Sequence, residues 1–172
     1  MSPARSKRTS ENPGPRGSGP AGIVGLLTRR KETLALAESC TGGFIANQIT
    51  NISGASKMFK GGAVTYSNEA KEKFLKVRAE TLKKYGAVSE QVAAEMAAGA
   101  RKQFDADYAI AVTGIAGPTG GTREKPTGTV FIAVAGAFGT VVERKLNQFD
   151  RQKFKSVTAR QALDLLKKQI VR

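Results

Sequence analysis

The sequence contains no histidine, so the most common general base of enzymes is missing. This absence excludes Ser-His-Asp triads, Cys-His pairs, HExxH metalloproteases and histidine-ligated zinc. Hydrolytic chemistry in this chain would need another base, and lysine is the obvious replacement. A lysine accepts a proton only when neutral, so its ordinary pKa of about 10.4 would have to fall.

Cysteine, aromatic residues and long apolar runs are also scarce. The single cysteine excludes an internal disulfide and a cysteine zinc cluster, and it favours a reducing cytoplasm. No apolar run approaches the ~20 residues of a membrane span, and no apolar core follows the basic N-terminus, so neither a membrane protein nor a secretory signal is expected. Aromatic residues make up only 6% of the chain, too few to suggest a stacking platform for single-stranded nucleic acid.

Basic residues, by contrast, are abundant: 28 Lys+Arg stand against 14 Asp+Glu, which gives a net charge of +14. Such a balance favours anionic partners, among them nucleic acid, a membrane surface or a phosphorylated small molecule. The basic residues are scattered, with no run longer than Arg29-Arg30-Lys31. We interpret the charge mainly as a solvated surface, so nucleic acid is not the expected partner.

Two regions differ in composition. Residues 1–20 are rich in Pro, Gly, Ser, Arg and Lys without apolar periodicity, which predicts a disordered basic tail. Residues 21–172 alternate strand and helix patterns and end with a hairpin pattern over 129–135 and 140–146, followed by one long helix. This order predicts one domain of the α/β class, a three-layer α/β/α sandwich with a mixed sheet.

A predicted strand over 33–38 stops at a polar turn that begins with Ser39, and a helix follows from about residue 42. A hydroxyl at such a turn lies near the free N–H groups and the positive dipole end of the helix. The glycines at 42 and 43 would let the backbone approach a ligand closely. The alternative is an ordinary helix capped by Ser39 or Thr41.

A second predicted strand, 61–66, ends at Tyr66, and Lys71 follows in the first turn of a predicted helix over 69–77. Ligands of α/β proteins bind at the carboxyl edge of the sheet, so both residues could join Ser39 there. A cation in the first turn of a helix is disfavoured, which lowers its proton affinity. Lys71 would be the base and Tyr66 a relay; the alternative is a solvated lysine and a core tyrosine.

Four further features of the sequence bear on the candidate site. The Gly/Pro-rich loop over 114–128 offers free N–H groups that suit a phosphate or a ribose, although it lacks GxGxxG and P-loop patterns. Cys40 is a rival nucleophile, and Ser67 with Lys71 forms a competing pair, although Ser67 suits a helix cap better. Glu38 could orient the lysine or the substrate.

Several separate stretches, in order, resemble the CinA C-terminal domain family, the nicotinamide-nucleotide amidohydrolases. The resemblance covers roughly residues 21–170, and its motifs are Ala37-Glu-Ser-Cys-Thr-Gly-Gly43, Gly62-Ala-Val-Thr-Tyr-Ser-Asn68 with Lys71, Gly86-Ala-Val-Ser89, and Val112-Thr-Gly-Ile-Ala-Gly-Pro118 with Lys125-Pro126. Longer members carry a further N-terminal nucleotide-hydrolase domain, in whose place we expect only the short basic tail here, and Lys155 stands where the family has arginine.

The resemblance implies hydrolysis of the carboxamide of nicotinamide mononucleotide to nicotinate mononucleotide and ammonia, with no cofactor and no metal. Its catalytic roles fall on Ser39 as nucleophile, Lys71 as general base and Tyr66 as intermediary. The implied substrate-binding residues are Thr41, Gly42, Gly43, Thr113, Gly114, Ala116 and Gly117.

The small-molecule nucleotide is thus the expected partner, and because family members are often dimeric, the resemblance also suggests a homodimer. Two other functions stay open at this point. One is a non-catalytic basic module that binds nucleic acid or protein and is linked to competence or damage response. The other is an amidase that acts on another small carboxamide.

Overall fold

The structure, a computed structural model, describes Gly17 and residues 19–172. The predicted basic tail over 1–20 therefore lies outside the described residues, apart from Gly17, Gly19 and Pro20. Pro20 is already the first residue of a helix. A backbone N–H at this position would have no acceptor within the helix, so proline, which lacks the N–H, loses no hydrogen bond there.

The described part of the chain forms six α-helices and five strands, with one 3-10 turn at Ala55–Lys57. In chain order they are α1 (Pro20–Arg30), β1 (Leu34–Glu38), α2 (Phe44–Thr50), β2 (Phe59–Val64), α3 (Asn68–Leu75), α4 (Ala79–Tyr85), α5 (Glu90–Gln103), β3 (Tyr108–Gly114), β4 (Thr129–Gly136), β5 (Gly139–Leu146) and α6 (Arg151–Ile170).

The strands form one mixed sheet in the order β2-β1-β3-β4-β5. β1 runs parallel to β2 and β3, while the hairpin of β4 and β5 adds two antiparallel strands beyond β3. Glu38, the last residue of β1, is in register with Val64 of β2 and Val112 of β3. The carboxyl ends of the three parallel strands therefore meet at one edge of the sheet.

Helices cover both faces of the sheet, which confirms the predicted three-layer α/β/α sandwich. α1, α2 and α6 pack on one face, and α3, α4 and α5 pack on the other, each over its own apolar cluster. The inner strands β1 and β4 are buried along their whole length, as their nearly continuous apolar sequence predicts. The edge strand β2 alternates between half-buried and exposed residues.

Two elements differ locally from the sequence prediction. β2 ends at Val64, so Tyr66 lies two residues beyond the strand rather than at its end. The helix α4 was not predicted, because a short, lysine-rich segment that buries only Thr81 and Leu82 has almost no helical periodicity to detect. Among the described residues, no helix has the length and apolar character required to cross a bilayer.

The position of α3 depends on a close approach to α5 at Gly99. A Cβ atom at Gly99 would collide with the backbone carbonyl of Leu75, the last residue of α3. Backbone atoms cannot move aside as a flexible side chain can, so glycine is the residue that allows the two helices to pack at this distance.

Gly99→Ala should therefore lower the free energy of unfolding by roughly 1–3 kcal/mol, because it overpacks the α3–α5 contact. Gly25 in α1 is the matched control, since a Cβ there meets only the flexible guanidinium of Arg29 at 3.2 Å. Gly25→Ala should be neutral or stabilising by up to about 1 kcal/mol. Urea denaturation of the two variants measures the difference, and equal effects would contradict the assigned contact.

Candidate active site

Ser39 occupies the turn between β1 and α2, at the sheet edge where the parallel strands end. The amide of Gly42 donates to the carbonyl of Ser39 at 3.0 Å and closes a tight turn. Gly42 and Gly43 have φ values of 61° and 96°, in the left-handed region that residues with a Cβ seldom adopt. The paired glycines thus allow the chain to reverse from strand to helix directly after the serine.

Lys71 approaches Ser39 from the adjacent β2–α3 connection. Ser67 caps α3 by accepting from the amide of Ala70 at 3.1 Å, as its cap-like sequence suggested, and this places Lys71 on the inner side of the helix. The Lys71 side chain is only 1% exposed. Its Nζ lies 3.0 Å from Ser39 Oγ and donates to the carbonyl of Thr65 at 2.7 Å.

The environment of Lys71 favours the neutral amine. Burial lowers its pKa below the ordinary value of 10.5, because the low-dielectric interior disfavours the charged form. Within the described residues no carboxylate hydrogen-bonds or ion-pairs with its amino group. A buried lysine whose nearest partners are a hydroxyl and a carbonyl can serve as a proton acceptor.

Cys40, the rival nucleophile, is buried, and its thiol is poorly suited to attack. Burial is the main cause that raises its pKa to about 12, well above neutral pH. The reactive form of cysteine is the thiolate, which this site disfavours. The geometry therefore favours the Ser39 hydroxyl, with its lysine partner, over the neighbouring thiol.

Glu38 accepts hydrogen bonds from two of the residues that the sequence suggested as substrate-binding, Thr41 and Gly43. Its Oε2 accepts from the Thr41 hydroxyl at 2.6 Å and from the Gly43 amide at 3.1 Å. The Gly42 amide is bonded to Ser39, so neither glycine offers a free amide to a substrate. In the part of the chain that the structure describes, the amides of Cys40 and Thr41 have no acceptor from another residue.

The proposed site residues meet at a cavity of about 190 Å³. It is lined by Ser39, Cys40, Tyr66, Lys71, Ala87, Val88, Thr113, Gly114, Ala116 and Arg151. Six of the ten residues to which the resemblance gives catalytic or substrate-binding roles thus come together, and Cys40 joins them; Thr41, Gly42, Gly43 and Gly117 do not line the cavity. Larger clefts of about 430, 440 and 500 Å³ lie elsewhere and contain neither Ser39 nor Lys71.

Tyr66 is 60% exposed at the mouth of this cavity, and its hydroxyl accepts from Arg151 at 2.8 Å. Arg151 also donates to the carbonyl of Gly117 at 3.0 Å, so it joins the segment after β2 to the glycine-rich loop. Lys71 contacts Ser39 directly, so the intermediary role of Tyr66 is not needed for that contact and stays a prediction.

Sequence reasoning did not identify Arg151. The only signal was its place directly after the N-cap Asp150 of α6, which says nothing about which neighbour it faces. Thr113, named as a substrate-binding residue, donates its hydroxyl to the carbonyl of Ala87 at 2.8 Å. This bond ties the end of β3 to residues 86–89 and shapes the cavity wall.

The depressed pKa of Lys71 predicts a pH-dependent stability. Below its folded-state pKa, Lys71 is protonated in both the folded and the unfolded protein, and the free-energy cost of burying its charge is fully present. As pH rises from that value towards 10.5, the folded state loses the proton first and the cost disappears. The unfolding free energy of the wild type should therefore increase with pH relative to that of Lys71→Met.

Urea denaturation across this pH range measures that difference. Lys73→Met is the control, because it removes an exposed ammonium two residues further along α3. A difference between Lys71→Met and the wild type that does not change with pH would contradict the burial of an ionisable amine at this site.

Comparisons with known proteins give a consistent result. The family model described as the CinA C-terminal domain matches residues 19–170. A CinA-like protein of Geotalea uraniireducens is 51% identical over 149 residues, covering 87% of this chain and 36% of the relative. A Thermoanaerobacter protein named as competence-damage inducible is 49% identical over the same length and share. This chain thus spans about a third of the length of these curated relatives.

Solved structures share the fold over nearly their whole length. A competence/damage inducible protein of Agrobacterium tumefaciens has a TM-score of 0.83 at 42% identity, covering 86% of this chain and 90% of the other. The competence damage-inducible protein A of Klebsiella pneumoniae has a TM-score of 0.86 at 37% identity, covering 89% and 95%.

Proposed function

Since this chain belongs to the family of the CinA C-terminal domain, we propose that it is an amidohydrolase that converts nicotinamide mononucleotide to nicotinate mononucleotide and ammonia. The observation that carries the proposal is the buried contact of 3.0 Å between Lys71 Nζ and Ser39 Oγ. A nucleophile within hydrogen-bond distance of a base is the arrangement that covalent hydrolytic catalysis requires.

Activation of Ser39 begins with neutral Lys71. A neutral amine has two hydrogens and one lone pair, and one hydrogen is held by the carbonyl of Thr65 at 2.7 Å. That bond limits the directions in which the lone pair can point, which favours acceptance of the Ser39 hydroxyl proton. As the proton moves to Lys71, the serine oxygen attacks the carboxamide carbon. Lys71 thereby acts as the general base, the role that histidine has in serine hydrolases.

The tetrahedral intermediate then needs hydrogen-bond donors for its oxyanion. The backbone amides of the turn after Ser39 are candidates, and because those of Gly42 and Gly43 already donate elsewhere, the choice narrows to Cys40 and Thr41. Cys40 lines the same cavity as Ser39. One such donor is commonly worth ~3 kcal/mol in the transition state.

Protonated Lys71 then supplies the proton with which ammonia departs, leaving an ester between the nicotinoyl group and Ser39. Water deprotonated by the regenerated neutral Lys71 cleaves this ester, which releases nicotinate mononucleotide and restores the serine. Tyr66 would assist these transfers at the cavity mouth, as the family resemblance implies.

Cavity size and charge both suit this substrate. Pockets that bury whole drug-sized ligands measure about 300–1,000 Å³. A cavity of about 190 Å³ suits the carboxamide ring alone, with the sugar phosphate left at the rim. Arg151 lies at that rim, and the overall net charge of +14 attracts anions.

Purified protein should release ammonia from nicotinamide mononucleotide, and Ser39→Ala should lower kcat by at least ~10³-fold, because it removes the nucleophile. Ser56→Ala changes an exposed serine away from the cavity and is the matched control. A coupled ammonia assay measures both variants.

Undiminished turnover in Ser39→Ala would contradict the nucleophile assignment. If the wild type releases ammonia only from another small carboxamide in a panel of substrates, the chemistry stands and the nucleotide assignment is wrong. If it releases none but binds duplex DNA with a steep salt dependence, the basic binding module replaces the enzyme.

A further inference from the structure

We propose that Glu38 is a positioning residue that holds the Ser39 turn in its reactive conformation, a role that rests on the proposed acyl-transfer chemistry. Glu38 is the last residue of β1, directly before Ser39, and its side chain is 2% exposed. It touches neither the substrate cavity nor Lys71, so it would act through the turn alone.

Four donors from the turn and from α2 converge on this carboxylate. Oε2 accepts from the Thr41 hydroxyl at 2.6 Å and from the amides of Gly43 and Ile45, each at 3.1 Å. Oε1 accepts from the amide of Ala46 at 2.8 Å. A single side chain therefore ties the end of the strand to the turn and to the first residues of α2.

The chemistry of these contacts matches an ionised carboxylate, which only accepts hydrogen bonds. Every partner is an N–H or O–H donor, and within the described residues no lysine or arginine hydrogen-bonds or ion-pairs with Glu38. Burying a carboxylate without a cation costs free energy that an apolar residue would not incur. A contribution to stability alone therefore does not explain a glutamate at this position. Its effect on the conformation of the turn explains it better.

Those positions include the groups on which the reaction would depend. The turn from Ser39 to Gly43 ends in two glycines with positive φ, which are the most permissive residues of the segment. The carboxylate holds Thr41 and Gly43 on either side of Gly42, and it thereby limits the orientation of the free Cys40 and Thr41 amides. Glu38 would thus set the oxyanion donors relative to Ser39 Oγ.

Glu38→Gln tests this role, because glutamine keeps the size of the side chain but places an NH2 group against donors that need an acceptor. The readout is the rate of Ser39 acylation by p-nitrophenyl acetate, a small active ester that does not require the nucleotide. A displacement of about 1 Å can cost ~10²-fold, so the acylation rate should fall by roughly tenfold to a hundredfold.

Glu95→Gln is the matched control for lost stability. Glu95 also accepts from a threonine hydroxyl, that of Thr81 at 2.7 Å, and from a backbone amide, that of Arg78 at 2.8 Å, but it lies away from the cavity and has an additional ion pair with Arg78. Its substitution should lower the melting temperature and leave the acylation rate within about twofold of wild type.

A second pair of variants keeps the test informative should Glu38→Gln fail to fold. Thr41→Val removes one of the four contacts and should slow acylation by roughly threefold to tenfold, whereas Thr41→Ser keeps the hydroxyl and should retain more of the rate. The effects of Glu38→Gln and Thr41→Val should also be non-additive, because both act on the same bond.

The outcomes separate this inference from the proposed function. Wild-type acylation rates in Glu38→Gln or in Thr41→Val would overturn the positioning role, even if both proteins melt at lower temperature. Equal slowing in Glu95→Gln would overturn it as well, since general destabilisation would then explain the result. If the wild-type protein reacts with the ester but not with nicotinamide mononucleotide, only the proposed substrate is wrong. If Ser39 of the wild type does not react with the ester, both the proposed acyl-transfer chemistry and the positioning role of Glu38 are wrong.

Discussion

The structure is organised around one buried hydrogen bond, between the amino group of Lys71 and the hydroxyl of Ser39. In water this bond would be worth little, because lysine would be charged and both groups would be solvated. Inside the protein, burial lowers the lysine pKa, and among the described residues no carboxylate forms a hydrogen bond or ion pair with the amino group that would raise it again. In the proposed mechanism, this contact would take the place of the histidine that the sequence lacks.

Several parts of the fold maintain that contact at once. The parallel pairing of β1 with β2 brings the Ser39 turn beside the β2–α3 connection, and the Ser67 cap starts α3 so that Lys71 points inward. Gly99 lets α5 press closely on the end of α3. On the opposite side of the turn, Glu38 fixes α2 to β1. The geometry of the candidate site and the packing of the core thus depend on the same elements.

Sequence reasoning predicted the sheet, its late hairpin and the meeting of Ser39 with Lys71, because these depend on periodicity, caps and strand ends that act locally. It could not show that Glu38 already occupies the amide of Gly43, since the sequence gives no sign of which donors face a buried carboxylate. Arg151 was missed for a related reason. Its contact with Tyr66 joins residues 85 positions apart and depends on where the fold places the first turn of α6.

The central claim is that burial lowers the pKa of Lys71, so that its amino group gives up its proton more readily than that of an exposed lysine, and the most direct measurement is its own titration. In protein labelled with 15N at the lysine amino groups, the Lys71 resonance can be identified by its absence from Lys71→Met and followed as pH is raised. The structure predicts a midpoint clearly below the ordinary lysine value of 10.5. A Lys71 resonance that titrates together with those of the exposed lysines would contradict the claim, and with it the role of Lys71 as the base.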